Sequence, residues 1–208
     1  MKNIWQKNWV WMTALIIGLT GAFIVGTMRK VNAIEVQQGI AKEIIRFHVL
    51  ANSNSEEDQQ LKMQVKDTVV SYLREIIKDT DSAADSREVL ARHLKDIEET
   101  AEQQIKQSGY QYPVQAVLTE AYFPVKTYGD CTFPSGDYEA LQIKIGEAKG
   151  RNWWCVVYPS LCFIDSIQGV VPEENKEKLK NILTEEEYDS ILEGGKVKVR
   201  FKWLFSKP

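Results

Sequence analysis

The sequence predicts an α+β domain in which helices pack on one face of a mostly antiparallel sheet of about five strands. Segments 139–145 and 197–203 alternate apolar and polar residues at a period of two, which is typical of strands with one solvated face. Between 61 and 77, apolar residues recur at spacings of three and four, which indicates an amphipathic helix. The predicted elements follow the order β-α-α-β-β-β-α-α-β, without the regular strand–helix alternation of a parallel α/β fold.

The first 33 residues have the composition of a targeting segment. Residues 8–28 contain no charged side chain, and two lysines precede them, as in the n-region of an exported protein. A run of this length can span a bilayer. Ala33 offers a small-residue cleavage site, although two basic residues stand between it and the apolar run. We therefore expect either a cleaved signal peptide or a retained membrane anchor over 1–33, followed by one secreted domain over 34–208.

Charge and motif content argue against several classes of function. The formal net charge is −3, and the first 33 residues carry four basic side chains and no acidic one, so the remainder stands at −7. An acidic domain without a basic stripe is not expected to bind nucleic acid. The sequence has no Cys/His cluster with metal-ligand spacing and no Gly-rich phosphate loop, so we expect no metal and no cofactor. We expect contact with a membrane only through the N-terminal segment.

The first predicted strand, 44–51, alternates between two faces. One face carries apolar residues such as Phe47, and the other includes Arg46 and His48. The strand ends at a run of four Asn and Ser residues, whose side chains favour a turn. Ser55, the last of these, has the position of an N-cap for the helix that follows, and acidic residues occupy the first turn.

The same patterns predict the remaining elements. Gly and Pro residues separate them, and the two strands 139–145 and 152–158 are close enough in sequence to form a hairpin. The elements after the first helix are a helix that begins at Asp85 and ends before Gly109, strands over 112–121, 139–145 and 152–158, helices that begin near Pro172 and Thr184, and a strand over 197–203.

The three cysteines suggest a disulfide, because exported chains meet an oxidising environment. Cys155 and Cys162 enclose six residues that include a proline, so this segment can fold back on itself. We expect a Cys155–Cys162 disulfide, and two buried thiols are the alternative. Cys131 is then left over.

A catalytic function can also be built from these residues. Cys155 or Cys162 would act as the nucleophile and His48 as its base. However, His48 shares a strand face with Arg46, and a histidine in that setting more often holds a turn or pairs with a carboxylate. We expect a protein that is not an enzyme. A secreted thiol-dependent or cell-wall hydrolase that uses Cys155 and His48 is the alternative.

Trp153 and Trp154 are neighbours in a predicted strand, so their side chains face opposite ways. Both are buried only if both faces of the sheet are covered at that point. An exposed tryptophan would be an anchor of the type that dominates protein interfaces. The sequence leaves the core and interface roles equally open.

Four strings of sequence carry a resemblance to a known family: RFHVLANSNSEEDQQLKMQVKD, PVKTYGD, GDYEAL and NWWCVVYPSLCF. On these strings the chain resembles stage II sporulation protein R of endospore-forming bacteria over roughly 43–164. The resemblance implies a signal that is made in the forespore and exported towards the intermembrane space, where it activates a membrane-embedded aspartic protease of the mother cell. That protease then cleaves the precursor of sporulation sigma factor E.

The strings that carry the resemblance also supply candidates for contact with that protease. They lie at the first strand–helix turn, in the connection over 122–137 and in the segment 153–162. If neighbouring strands bring these places together, their side chains line one surface. The candidate partner-binding residues are Arg46, His48, Asn52, Tyr128, Asp130, Trp153 and Trp154.

The first testable prediction concerns export. Residues 1–40 fused to a reporter are expected to carry it across the membrane, because the uncharged run acts as the signal. Ile17→Asp places a charge in that run and should cost about 2.5–3.5 kcal/mol of insertion free energy, which impairs export. Reporter activity outside the membrane measures the effect. Undiminished export of the Ile17→Asp fusion would contradict the assignment.

Overall fold

The structure is a computed structural model that describes residues 2–162 and 170–192. The predicted strand over 197–203 lies outside the described residues. The helices are α1 (Lys2–Glu43), α2 (Glu56–Ile77), α3 (Ala83–Arg92), α4 (Leu94–Gln107), α5 (Glu173–Ile182) and α6 (Glu185–Leu192). The strands are β1 (Ile45–Leu50), β2 (Val114–Phe123), β3 (Lys126–Tyr128), β4 (Cys131–Phe133), β5 (Gly136–Ile145) and β6 (Asn152–Tyr158).

The α+β prediction is confirmed, and the main sheet has four strands in the order β2-β5-β1-β6. β2 pairs antiparallel with β5, and β6 pairs antiparallel with β1. The central pair, β1 and β5, is parallel, so the sheet is mixed. A separate hairpin of β3 and β4 lies within the connection between β2 and β5.

The predicted hairpin between β5 and β6 is wrong, because β1 lies between these two strands. Their connection crosses the end of β1, where backbone N–H groups of Lys149 and Gly150 donate to the carbonyls of Asn52 and Ala51 at 3.2 and 2.9 Å. Position 150 requires glycine, because an added Cβ would lie 2.1 Å from the Ser53 carbonyl oxygen. The central strand thus inserts where sequence proximity alone suggested direct pairing.

The structure differs from the prediction in a second respect, because helices cover both faces of the sheet. β1 has buried residues on both sides, because its neighbouring residues Arg46 and Phe47 face opposite ways and both are 0% exposed. The first core lies between one sheet face and α2, α3 and α4. The second core lies on the opposite face, and its residues come from the end of α1, the β3–β4 hairpin, α5 and α6 together with that face.

Helix α1 has two different parts. Within the described residues it is the helix long and apolar enough to cross a membrane, and its apolar stretch is not buried in the domain. Its last turns instead belong to the second core, where Val36 and Ile40 are 6% and 0% exposed. The predicted boundary at Ala33 therefore falls inside one continuous helix. Cleavage at that position stays a prediction.

The predicted N-cap of α2 is present, since Ser55 Oγ accepts a hydrogen bond from the Asp58 backbone N–H at 3.2 Å. The predicted second helix is instead divided into α3 and α4 at His93. The N–H of His93 donates to the carbonyls of both Val89 and Leu90, at 3.1 and 3.2 Å. This residue ends one helix and precedes the next, so α4 turns away to pack on α2 and β2.

Candidate functional site

Arg46 occupies the centre of a cluster of aromatic rings on the second-core side of β1. It is 0% exposed. Four rings surround its guanidinium carbon, with centroids at 4.5 Å for Phe123, 5.1 Å for Tyr138, 5.4 Å for Phe133 and 5.7 Å for Tyr128. We call these five residues the arginine–aromatic cluster. A cation placed over aromatic faces is attracted by their quadrupoles, and the attraction grows when the cation is desolvated.

The guanidinium has few hydrogen-bond partners. Its Nη2 donates to the Tyr128 hydroxyl at 3.4 Å. Within 2–162 and 170–192, its Nε and Nη1 have no hydrogen-bond acceptor. Burial also raises the pKa of the Tyr128 phenol, so this hydroxyl stays protonated and neutral beside the cation. The cluster therefore holds a buried positive charge chiefly by aromatic contact.

His48 lies next along the same face of β1 and is 3% exposed. Its ring stacks on Trp154 at 5.0 Å and contacts Phe123 at 5.2 Å. Neither ring nitrogen has a hydrogen-bond partner among the described residues. Burial, together with the smaller effects of the charges of Lys144 and Arg46, lowers the pKa of His48 from its ordinary 6.5 to about 4. The imidazole is therefore neutral at pH 7.

The two neighbouring tryptophans lie on opposite faces of the sheet, as predicted from their adjacency. Trp154 pairs in register with His48 and packs on it. Trp153 packs edge-on against Phe47 at 5.7 Å on the first-core side, with Lys66 Nζ 5.2 Å from its ring. Both side chains are partly exposed. Each therefore contributes to a core and also reaches the surface.

Asn52 lies apart from the arginine–aromatic cluster and joins three segments of backbone. Its Nδ2 donates to Asp58 Oδ2 at 2.8 Å, and its Oδ1 accepts from the Glu147 N–H at 3.0 Å. The first contact ties the end of β1 to the first turn of α2. The second ties it to the connection that crosses over to β6. This geometry gives Asn52 a structural role.

Asp130 also has a structural role, because it holds the segment that leads into α5. It accepts from the Val171 N–H at 3.0 Å and forms an ion pair with Lys176 at 2.6 Å. Gly129 beside it has a φ of 56°, and an added Cβ would lie 2.8 Å from the Val171 nitrogen. Each residue of the Tyr-Gly-Asp string thus makes a different contact, and only Tyr128 belongs to the arginine–aromatic cluster.

The structure brings together four of the candidate partner-binding residues, Arg46, His48, Tyr128 and Trp154, and separates the other three. Arg46 has no exposed surface, so it supports neighbouring residues from beneath. Contact with a partner stays a prediction for the whole set. Sequence analysis missed Phe123, Phe133 and Tyr138, although the density of aromatic residues around Tyr128 was a signal.

The cysteines and His48 do not form the catalytic pair of the hydrolase alternative. Cys155 pairs in register with Phe47 and points into the first core, whereas His48 points to the opposite face. The Cys162 thiol contacts that of Cys155, and burial raises its pKa. Cys131 lies in the second core, where burial raises its pKa to about 11. Within the described ranges no three His, Cys, Asp or Glu residues are grouped as metal ligands.

Comparison with known proteins identifies relatives of this domain. A family described as stage II sporulation protein R matches residues 41–168. The stage II sporulation protein R of Bacillus subtilis (strain 168) is 36% identical to this chain over 139 residues, which are 67% of the chain. The match covers 62% of that relative's length. No solved structure matches the chain.

The second prediction is that Cys155 and Cys162 form a disulfide in the exported protein and that Cys131 does not. The three are free thiols in the structure, and the contact between the first two makes oxidation a local step. A short closed loop of this kind should stabilise the domain by up to about 3 kcal/mol if it is unstrained. Mass spectrometry of unreduced, alkylated peptides measures the pairing. Alkylation of both Cys155 and Cys162 would show that the bond is absent.

The third prediction concerns the pH dependence of stability. Because the pKa of His48 falls from 6.5 to about 4 on folding, the unfolded chain binds a proton in that window that the folded chain does not. The stability that the neutral His48 contributes is therefore fully present above pH 6.5 and is lost as the pH falls towards 4. The loss due to His48 should reach about 3 kcal/mol, at 1.36 kcal/mol for each unit of pKa shift.

His48→Phe, which retains an aromatic ring beside Trp154, should remove this part of the pH dependence. Denaturant unfolding at pH 7 and pH 4.5 provides the comparison with the wild type. His93→Gln is the matched control, because it removes the chain's other histidine at a site away from the cluster. An equal loss of stability in the wild type and His48→Phe would disprove the assignment to His48.

Proposed function

The chain belongs to the stage II sporulation protein R family, and from this premise we propose that it is the exported intercellular signal of endospore formation. In this proposal the forespore exports the chain into the intermembrane space. There it activates a membrane-embedded aspartic protease of the mother cell, and processing of the sigma-E precursor follows. The role is that of an activator that performs no catalysis itself.

The observation that carries this proposal is the extent of the family match. Residues 41–168 include every strand of the described structure, from β1 to β6, and all five residues of the arginine–aromatic cluster. The match therefore concerns the whole sheet and its buried polar centre. The similarity to the family therefore lies in the sheet region of the domain and in the surface that this region presents.

Helix α1 supports the export step. Its apolar stretch has the length and composition of a membrane span, and the domain does not bury it. Cleavage at Ala33 would leave Val36 and Ile40, the α1 residues that enter the second core, on the released domain. Both a cleaved signal and a retained anchor are therefore compatible with the packing of the domain.

The geometry also weighs against the hydrolase alternative. A thiol nucleophile needs its base within hydrogen-bond reach. Cys155 and His48 lie on opposite faces of the same sheet, and the imidazole is enclosed by Trp154 and Phe123. An activator requires neither group to react. In the proposed function this chain acts by recognising a partner.

The fourth prediction tests this function in non-sporulating cells that make the protease and the sigma-E precursor. Cells that also make the full chain should produce the processed sigma factor. Cells that lack either the chain or the protease should show no processing. Immunoblotting of precursor and product provides the measurement. Cys155→Ser should retain processing in a variant that folds, because Cys155 is buried in the first core and an activator needs no nucleophile. Ile17→Asp should reduce processing, because it impairs export.

Two outcomes would contradict the proposal. One is an unprocessed precursor in cells where the chain is exported and the protease is present. The other is a folded Cys155→Ser variant that is inactive at every dose, because a lost catalytic group lowers the rate at saturation. Unfolding midpoints of the wild type and Cys155→Ser establish that both are folded.

A further inference from the structure

The face of the sheet that carries Arg46 is covered over only part of its length. In the row that contains Arg46, the neighbours Ala140 and Val156 are fully buried beneath the second core, whereas Thr119 on the edge strand β2 is exposed. The next rows towards the end of β1 are not fully buried. Val117, Gln142 and Trp154 flank His48, and the following row contains Lys144, Leu50 and Asn152; all six are partly exposed. We call these six residues the open sheet face.

The open sheet face is positively charged on an acidic chain. It contains Lys144 and no acidic residue, while the chain carries a formal net charge of −3. Lys126 adds a second cation at its edge, with Nζ 5.8 Å from the centroid of the Trp154 ring. In the part of the chain that the structure describes, neither lysine forms an ion pair with a carboxylate.

The same face has polar groups that lack partners. Asn152 Oδ1 is buried and has no hydrogen-bond partner among the residues described. Both ring nitrogens of the buried His48 share this condition. An unpaired buried polar group costs free energy. Trp154 supplies an aromatic surface of the kind that anchors interfaces. The face thus combines positive charge with one aromatic anchor, and the unpaired polar atoms lie buried beneath it.

We propose that the open sheet face is the docking surface for an acidic, extended segment on the extracytoplasmic side of the protein that this chain activates. The carboxylates of the segment pair with Lys144 and Lys126, and an apolar side chain packs on Trp154. Charge complementarity selects this occupant. The proposal rests on the function proposed above, and it adds the surface and the chemistry of the partner.

The test compares full-length variants in cells that make the protease and the sigma-E precursor. Lys144→Glu and Trp154→Ala alter the open sheet face, and Lys126→Glu alters its edge. Lys95→Glu is the matched control, because it makes the same charge change on α4, which packs on the other side of the sheet. Unfolding midpoints are measured for all variants, and Lys126→Glu provides the charge test if Lys144→Glu lowers the midpoint.

Two readouts are taken for each variant. One is the amount of exported chain that gives half-maximal processing. The other is retrieval of the protease on an affinity-tagged chain from detergent-solubilised membranes. The face variants should raise the half-maximal amount about tenfold or more with an unchanged plateau, because mass action overcomes weaker docking. Retrieval should fall in parallel, and Lys95→Glu should match the wild type in both readouts.

The outcomes separate this proposal from the function it rests on. If the wild type retrieves the protease without processing, the activator function fails and the surface is still judged by retrieval. If the folded face variants match the wild type in both readouts, or if Lys95→Glu shifts as far as they do, the surface assignment fails. A wild-type chain that neither retrieves the protease nor produces processed sigma factor overturns both. A self-dimer that Lys144→Glu dissociates, seen by sedimentation, assigns the face to a second copy and overturns the proposal.

Discussion

The fold depends on how one buried positive charge is accommodated. Moving a guanidinium out of water costs several kcal/mol unless other groups replace its hydration. Around Arg46 the replacement consists of four aromatic faces and one phenol oxygen. Each desolvated cation–π contact contributes up to about 2 kcal/mol. The rings belong to β2, β3, β4 and β5, whereas the charge belongs to β1. One side chain thus fixes the position of the whole connection between β2 and β5.

This constraint also explains why the sheet has an open part. The β3–β4 hairpin must lie over Arg46 to bring Tyr128 and Phe133 to the guanidinium, so it covers the sheet at that row. It leaves the next rows, around His48, partly exposed. His48 remains neutral there because burial and two nearby cations oppose its protonation. The covered and open parts of one face are therefore consequences of the same buried charge.

Local features of the fold were predictable from the sequence, and long-range ones were not. The Ser55 cap and the opposed tryptophans depend on spacings of three residues or fewer, which the sequence displays directly. The insertion of β1 between β5 and β6 depends on pairing partners about a hundred residues away. Arg46 and His48 were expected to line a surface that contacts a partner. Their burial depends on Phe123, Phe133 and Tyr138, which a local pattern does not connect to β1.

The same limit applies to the candidate site. The sequence strings identified four residues that do come together in the structure: Arg46, His48, Tyr128 and Trp154. Arg46 and His48 are buried and support the surface from beneath, whereas Tyr128 and Trp154 are partly exposed. Helix α1 connects this support to its own long apolar stretch, because Val36 and Ile40 enter the second core together with Phe123 and Tyr138. A retained α1 would hold the domain at the membrane without a flexible linker, and cleavage at Ala33 would release it with that core intact. Recognition of a membrane-embedded partner is compatible with either state, since the open sheet face contains no residue of α1.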